Sequence, residues 1–385
     1  MKEIILLGAT GSIGTQALEI IKRHKEYRVN SISFGYNIDM ARKIIKDFDI
    51  KYVSVIRKED AETLKKEFPN LLVGYGEEGL INAVKNYPGD VINAITGISG
   101  LLPTMTAISL KKNVMLANKE TMVVAGDIIN AKAKENDVKI IPIDSEHNAI
   151  YRLLNNEKRK CVKNIIITAS GGAFRDKERS ELLNVTIDDA LDHPNWQMGR
   201  KITVDCASMV NKGLEVMEAH HLFNMDYDHI KTIVHKESII HSMVEFTDNS
   251  VSSLMYNPSM LSPISYALLG ETEECGLKEL SFEDVSTLTF RKMDYQRYPM
   301  IELAYKVGKA GGFYPTIYNA SNEVAVELFL NNKIKFLDIE TIISNAVNNY
   351  DNYLKKLENR DFNIENILLL DKIVKEDVKL VYVRS

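Results

Sequence analysis

Residues 4–14 read IILLGATGSIG. The short apolar run 4–7 ends in three glycines, Gly8, Gly11 and Gly14, spaced three apart. Ile13, Ala17, Leu18, Ile20 and Ile21 then recur at helical period. Strand, glycine turn and helix together form the setting in which such a turn holds a dinucleotide. The glycines admit a pyrophosphate close to the backbone, and the helix start offers amide donors and a positive dipole end. The spacing is G-x-x-G-x-x-G rather than the commoner G-x-G-x-x-G, and Thr10 and Ser12 add hydroxyl donors. The competing reading is a glycine turn that binds nothing.

Outward from that turn, strand-like and helix-like patterns alternate as far as residue 143. Strands are expected at 29–34, 52–56, 91–94, 114–117 and 139–143, with periodic helices between them. Alternation of this kind predicts a Rossmann-like, doubly wound parallel sheet, whose ligands bind beyond the carboxyl ends of the strands. Strand 29–34 runs into Gly35-Tyr36-Asn37, and no carboxylate precedes Asp39. An NAD site usually holds the ribose 2′-hydroxyl with an acid at this point, so its absence favours NADP.

The composition is that of an ordinary folded chain: 385 residues, 45% apolar and 26% charged, with net charge −5. That balance argues against nucleic acid and anionic membranes as partners, so any phosphate site must be local. Cys161, Cys206 and Cys275 have neither metal-type nor redox-type spacing. No window approaches the length of apolar sequence a membrane span needs, and the chain enters a strand within a few residues. A cytoplasmic protein is expected.

Two polar clusters fall at expected strand ends: Asn118-Lys119-Glu120, and Asp144-Ser145-Glu146-His147-Asn148. On extended backbone, Asp144 and Glu146 point the same way, which suits a hard divalent cation, Mg2+ or Mn2+. Alternatively Asp144 or Ser145 caps a helix continued by Ile150 and Leu153, and the two readings do not exclude each other. Beyond residue 160, the β-rich run 164–168 ends in Ser170-Gly171-Gly172, either a phosphate nest or a plain loop. Residues 173–200 are polar with little core pattern. They read as a lid carrying Trp196 and Met198, unless Trp196 is a core residue, the safer reading of that side chain. From Ala207 a helix is expected, with Asn211 and Glu215 one turn apart and Lys212 beside them. That trio offers an amide and an ammonium to an anion and a carboxylate to a cation. Strands joined by a hairpin are expected at 239–246 and 250–256, a linker at 271–297, and helices at 319–331, 337–350 and 365–379.

The motifs GATGSIG, LANKE, DSEHN, SGG, HPNWQMGRK and NKGLE, in this order and at these separations, make the chain resemble the 1-deoxy-D-xylulose 5-phosphate reductoisomerase family over essentially its whole length. The resemblance implies an α/β protein. Residues 1–143 would form a Rossmann-like NADPH domain. Residues 144–270 would form a central α+β catalytic domain with a flexible flap at about 170–200, and 298–385 a C-terminal helical bundle. It implies rearrangement of the substrate's carbon skeleton followed by reduction with NADPH, giving 2-C-methyl-D-erythritol 4-phosphate, an isoprenoid precursor. By the same resemblance Asp144, Glu146 and Glu215 hold the divalent metal, Mg2+ or Mn2+, which would polarise the substrate carbonyl. Lys119, Ser145, Glu146, Ser170, His193, Asn211, Lys212 and Glu215 contact the sugar phosphate, with Ser170, Asn211 and Lys212 on its phosphate. Lys119, Glu146, His193 and Glu215 are the catalytic set. Thr10, Gly11, Ser12, Ile13, Gly35, Tyr36, Asn37, Asn118, Glu120 and Gly199 touch NADPH. Trp196 and Met198 belong to the flap, and a homodimer is implied.

Two positions depart from the family pattern. Cys206 occupies a place where the family typically has a phosphate-binding serine, so its substrate contact rests on a weak thiol donor or on its main-chain N–H. Tyr36 stands where a basic residue near the 2′-phosphate is frequent. Two other functions compete: an NADP-linked dehydrogenase of another sugar phosphate without rearrangement, and a cofactor-binding regulator without turnover.

Overall fold

The N-terminal apolar run forms β1 (Lys2–Leu7) in a computed structural model, which describes residues 1–155 and 161–383. β1 is the fourth strand of a seven-stranded sheet with β2 (Tyr27–Phe34), β3 (Tyr52–Val55), β4 (Leu72–Tyr75), β5 (Asp90–Asn93), β6 (Val114–Leu116) and β7 (Ile140–Pro142). The order is β4-β3-β2-β1-β5-β6-β7 and every pair is parallel. Helices follow the strands, and Ile5, Leu6 and Leu7 lose all exposure, as residues of a central parallel strand do. The winding reverses between β1 and β5, which opens the crevice where such sheets bind ligands. The β4 strand escaped the sequence pattern. It is four residues long, lies at the sheet edge and exposes Leu72 and Tyr75, so no buried alternation marks it.

This sheet belongs to the first of two compact units, Met1–Thr121, Asp127–Asn148 and Ser259–Leu277. The late segment returns as the helix Leu261–Leu269, whose Ile264, Ala267 and Leu268 join the same apolar core as β1 and β2. Tyr27 Oη donates to the Leu268 carbonyl at 2.9 Å, and Asn148 Nδ2 donates to the carbonyls of Pro142 and Pro263 at 2.9 and 3.3 Å.

The second unit comprises Met122–Gly126, Ala149–Pro258 and Lys278–Ser385. Its sheet runs β11 (Val251–Met255), β10 (Ile240–Phe246), β8 (Val162–Ala169), β9 (Ile230–Val234), β12 (Arg291–Lys292). Only β8 and β9 are parallel. The expected hairpin is β10–β11, turning at Asn249 with φ +67°. Within the stretch read as a linker, β12 pairs with β9. The C-terminal segment forms the helices Pro299–Ala310, Tyr314–Leu330, Asp338–Asn348, Tyr350–Leu354 and Ile364–Val383. A Cβ on Gly213 would lie 2.7 Å from Ala304 Cβ, so the helix Val210–Phe223 needs glycine there to lie against Pro299–Ala310. The C-terminal helices therefore seat the helix that carries Asn211, Lys212 and Glu215. Among the described residues no helix is long and apolar enough to cross a membrane.

Candidate active site

The glycine turn has the shape a pyrophosphate needs. Gly8 adopts φ +84°, and a Cβ there would lie 2.5 Å from the Ala94 carbonyl oxygen at the end of β5. A Cβ on Gly14 would lie 2.3 Å from Gly8 O, so both glycines are steric requirements of the cradle. Gly11 caps the helix Ser12–Arg23 without a side-chain bond, and Gly11 and Ser12 are exposed, with Thr10 and Ile13 partly so. At the end of β2, Gly35 is half-buried and Tyr36 is 68% exposed. The Asn37 side chain accepts from Met40 N at 3.0 Å and caps the helix Ile38–Asp47, worth about 1 kcal/mol.

Beyond β6, Asn118 caps the helix Lys119–Asn136, accepting from Thr121 N at 3.2 Å. Its amide also donates to the carbonyls of Ile95 and Gly97, at 2.6 and 2.8 Å. The buried Asn118 side chain thus fixes the loop after β5, and Lys119 and Glu120 beside it are also buried. Lys119 Nζ pairs with Asp144, with both side chains largely out of solvent. Removing one partner of such a pair leaves a desolvated charge and costs roughly 3–5 kcal/mol.

Around Asp144 the backbone departs from the extended geometry expected of it. A helix spans Ser145–Asn155, and Asn148 N donates to Asp144 O at 2.8 Å. Asp144 thus precedes the helix and Glu146 lies in its first turn, so the carboxylates share a helix start rather than a strand face. Ser145 Oγ donates to Glu146 Oε2 at 2.6 Å.

In the second unit, Ser170-Gly171-Gly172 follows β8 with φ +86° and +69° at the two glycines. A Cβ on Gly172 would lie 2.4 Å from Cys206 O, so the SGG turn lies directly on the main chain at Cys206, itself half-buried. Ser170 Oγ meets His193 Nε2 at 2.9 Å and accepts from Gly172 N at 3.2 Å. His193 Nδ1 accepts from the N–H groups of Asn195 and Trp196, at 3.1 and 3.0 Å. Two donors on Nδ1 leave the ring proton on Nε2, which therefore donates to Ser170. Burial, helped by the Arg175 guanidinium, lowers the His193 pKa to about 4, so the ring is neutral at pH 7.

The helix bearing the anion and metal candidates starts later than the pattern suggested. One helix spans Arg200–Ala207, Met209 adopts φ +61°, and a second helix begins at Val210. Asn211 and Lys212 consequently occupy the first turn, where backbone donors lack intrahelical partners. Asn211 Nδ2 donates to Glu215 Oε1 at 2.5 Å, and Lys212 Nζ pairs with the other carboxylate oxygen. Glu215 is 1% exposed and Lys212 4%, so the trio is a desolvated, preorganised unit.

The polar stretch 173–200 has more structure than a bare loop. Phe174 is buried edge-on against Phe336 at 4.8 Å, and Arg179 pairs with Glu340. Capping boxes at Glu178/Glu181 and Thr186/Asp189 start two short helical turns. Trp196 is only partly buried, its ring centroid 6.1 Å from that of His241, so the core reading of this residue is corrected. Sequence reasoning passed over Arg175 and Asn195, which hold this segment. Arg175 Nη1 donates to Lys236 O at 2.7 Å, and Asn195 Nδ2 donates to Ser238 Oγ at 2.8 Å. Only the pairing of β8 with distant strands brings them together, so no local signal marked them. Met198 is half-buried nearby in sequence, and Gly199 is exposed at the start of the helix Arg200–Ala207.

Comparison with known proteins bears on the whole chain. Family models described as 1-deoxy-D-xylulose 5-phosphate reductoisomerase and as its C-terminal domains match residues 4–126, 140–223 and 255–377. A 1-deoxy-D-xylulose 5-phosphate reductoisomerase of Listeria monocytogenes serovar 1/2a is 48% identical over 98% of this chain and 99% of its own length. That of Shouchella clausii is 51% identical over 90% of this chain and 93% of its own. Among solved structures, a DOX-P reductoisomerase in complex with NADPH, fosmidomycin and magnesium superposes with a TM-score of 0.93 at 33% identity, covering 99% of this chain and 98% of the other. The Zymomonas mobilis enzyme in complex with NADPH gives 0.89 at 33% identity, with 99% of each chain covered.

Proposed function

Because the chain belongs to the 1-deoxy-D-xylulose 5-phosphate reductoisomerase family, we infer that it rearranges and reduces 1-deoxy-D-xylulose 5-phosphate to 2-C-methyl-D-erythritol 4-phosphate, using NADPH and a divalent metal ion, in isoprenoid precursor biosynthesis. The observation in this chain that carries the reading is the buried Asn211–Lys212–Glu215 trio. A carboxyl group held in a desolvated place by an amide and an ammonium is expensive to maintain for stability alone, and suits a site that handles ions.

Asp144, Glu146 and Glu215 are proposed as the metal ligands. They offer only hard carboxylate oxygens, the donor chemistry of Mg2+ or Mn2+. The Gly8 and Gly14 cradle, which side chains would fill, fits the pyrophosphate of NADPH. When bound, the metal supplies carbonyl polarisation and NADPH the hydride. The remaining work falls to this chain's own groups. Ser170, the first-turn residues Asn211 and Lys212, and the backbone at Cys206 would hold the phosphate end and fix the substrate's position. Proximity of this kind, between a held substrate and a held nicotinamide, is a large part of such rate enhancements. Ser145 orients the Glu146 carboxylate through its 2.6 Å bond, and Lys119 pairs with Asp144. His193 lies one hydrogen bond from Ser170 and is held neutral. Thr10, Gly11, Ser12 and Ile13 at the helix start, and Gly35, Tyr36 and Asn37 after β2, would line the cofactor. Asn118 and Glu120 would support it from the start of the helix Lys119–Asn136, and Gly199 from the head of the Arg200–Ala207 helix. A cytoplasmic homodimer acting on a small sugar phosphate is part of the same proposal, and sedimentation of the purified chain tests the dimer.

The deciding experiment follows product formation from 1-deoxy-D-xylulose 5-phosphate and NADPH with Mg2+ or Mn2+, with and without chelator. Metal-dependent formation of the branched polyol phosphate is expected. Turnover indifferent to chelation would reject the metal site, and reduction without skeletal rearrangement would reject the activity.

A further inference from the structure

Tyr36 leaves the cofactor's adenosine end without the cation that a 2′-phosphate calls for, and the fold supplies one from the neighbouring strand. β2 and β3 are parallel, with Phe34 opposite Val55. Two residues further along, at the carboxyl ends of both strands, stand Tyr36 and Arg57. The Arg57 guanidinium lies over the Tyr36 ring, 5.5 Å from its centroid. Its Nε and Nη2 donate to the Asp60 carboxylate at 2.7 and 3.0 Å, and Asp60 is nearly buried in the first turn of the helix Lys58–Glu67. A guanidinium has five N–H donors in a fixed plane. With Nε and one Nη2 proton on Asp60, the second Nη2 proton and one Nη1 proton remain side by side along another edge. That edge is the fork geometry that grips a phosphate bidentately. Arg42, the arginine on the helix after Asn37, is committed elsewhere: Nε and Nη2 go to Glu67 and Nη1 to Asp39.

We propose that Arg57, aimed by Asp60 and stacked on Tyr36, is the residue of this chain that reads the 2′-phosphate of NADPH. The inference rests on the assignment of NADPH as the cofactor and goes beyond it in naming the source of its preference over NADH. Tyr36 then acts as a platform: its exposed ring flanks one face of the guanidinium and limits the directions the fork can take.

The test is binding of NADPH and of NADH to the full-length chain, read by nicotinamide fluorescence or calorimetry without turnover. Arg57→Ala should weaken NADPH by about 10- to 100-fold, the range for losing hydrogen bonds to a charged group, and leave NADH within about twofold. Arg57→Lys, which keeps the charge but not the fork, should fall between. Asp60→Asn should also lower the NADPH-to-NADH ratio by loosening the guanidinium. An equal loss for both cofactors in Arg57→Ala would mean a structural role and overturn the proposal. So would an unchanged ratio in a chain whose wild type prefers NADPH. A wild type that does not distinguish the two cofactors would instead overturn the NADPH assignment, and the proposal with it.

Discussion

Replacing Ser170 by Ala tests the phosphate cradle at one atom. Ser170 Oγ accepts from His193 Nε2 at 2.9 Å and from Gly172 N at 3.2 Å. A hydroxyl has two acceptor positions and one proton, so with both acceptor positions filled the proton is directed toward whatever fills the cradle. Its removal deletes one hydrogen bond to a dianionic group, worth about 1.5–3 kcal/mol, or roughly 10- to 150-fold. We expect kcat/KM for the sugar phosphate to fall about 30-fold with NADPH affinity unchanged, as measured by NADPH oxidation at varied substrate. If His193 acts through this hydroxyl, His193→Ala made in the Ser170→Ala background should add little, giving strong non-additivity in a double-mutant cycle. A kcat/KM within about threefold of wild type would refute the argument, as would full multiplicative losses in the double variant.

Glu215→Gln should abolish turnover while NADPH still binds, because the glycine cradle lies in the other unit; loss of cofactor binding in equilibrium titration would show that Glu215 serves the fold instead. Cys206→Ser should preserve or lower KM for the sugar phosphate, since a hydroxyl is the better donor and the SGG turn already rests on the main chain at 206; a large rise in KM would give the thiol a role of its own. Burial raises the Asp371 pKa from 3.8 to about 6 despite the Lys375 ammonium 2.9 Å away. A raised carboxyl favours the folded state below its unfolded pKa and loses that contribution as pH climbs through the folded value. Wild-type stability should therefore decline by up to about 3 kcal/mol between pH 4 and 6 from this group, and Asp371→Asn should flatten that decline in thermal unfolding scans. Identical scans for the two chains would remove Asp371 as the cause.

The first sheet was legible because residues 4–14 carry their own instructions: an apolar run, glycines that close packing requires, and a helix period. The strands expected at 29–34, 52–56, 91–94 and 114–117 announced themselves likewise, as short runs whose central residues are buried on both faces. β4 did not, because an exposed edge strand of four residues carries neither alternation nor a long apolar run. The start of the Asn211 helix was misplaced by three residues. Apolar spacing continues smoothly through Ala207–Val210, while the break is a single positive φ at Met209, a conformation that methionine does not advertise. Candidate site residues could be singled out where they sit in short motifs. Arg57, Arg175 and Asn195 were not, since Arg57 meets Tyr36 only across neighbouring strand ends, and Arg175 and Asn195 find their partners in a distant loop.

The helix Leu261–Leu269 has a consequence for biogenesis. Tyr27 hydrogen-bonds to Leu268, and Ile264 packs into the core built on β1 and β2. A nascent chain emerging at about 5–20 residues per second thus holds the dinucleotide sheet unfinished until residues 259–277 leave the ribosome. The amino-terminal half cannot mature first in the usual vectorial manner. A fragment cut after Asn148 should be translated in full and yet recovered as an incompletely folded, chaperone-bound species.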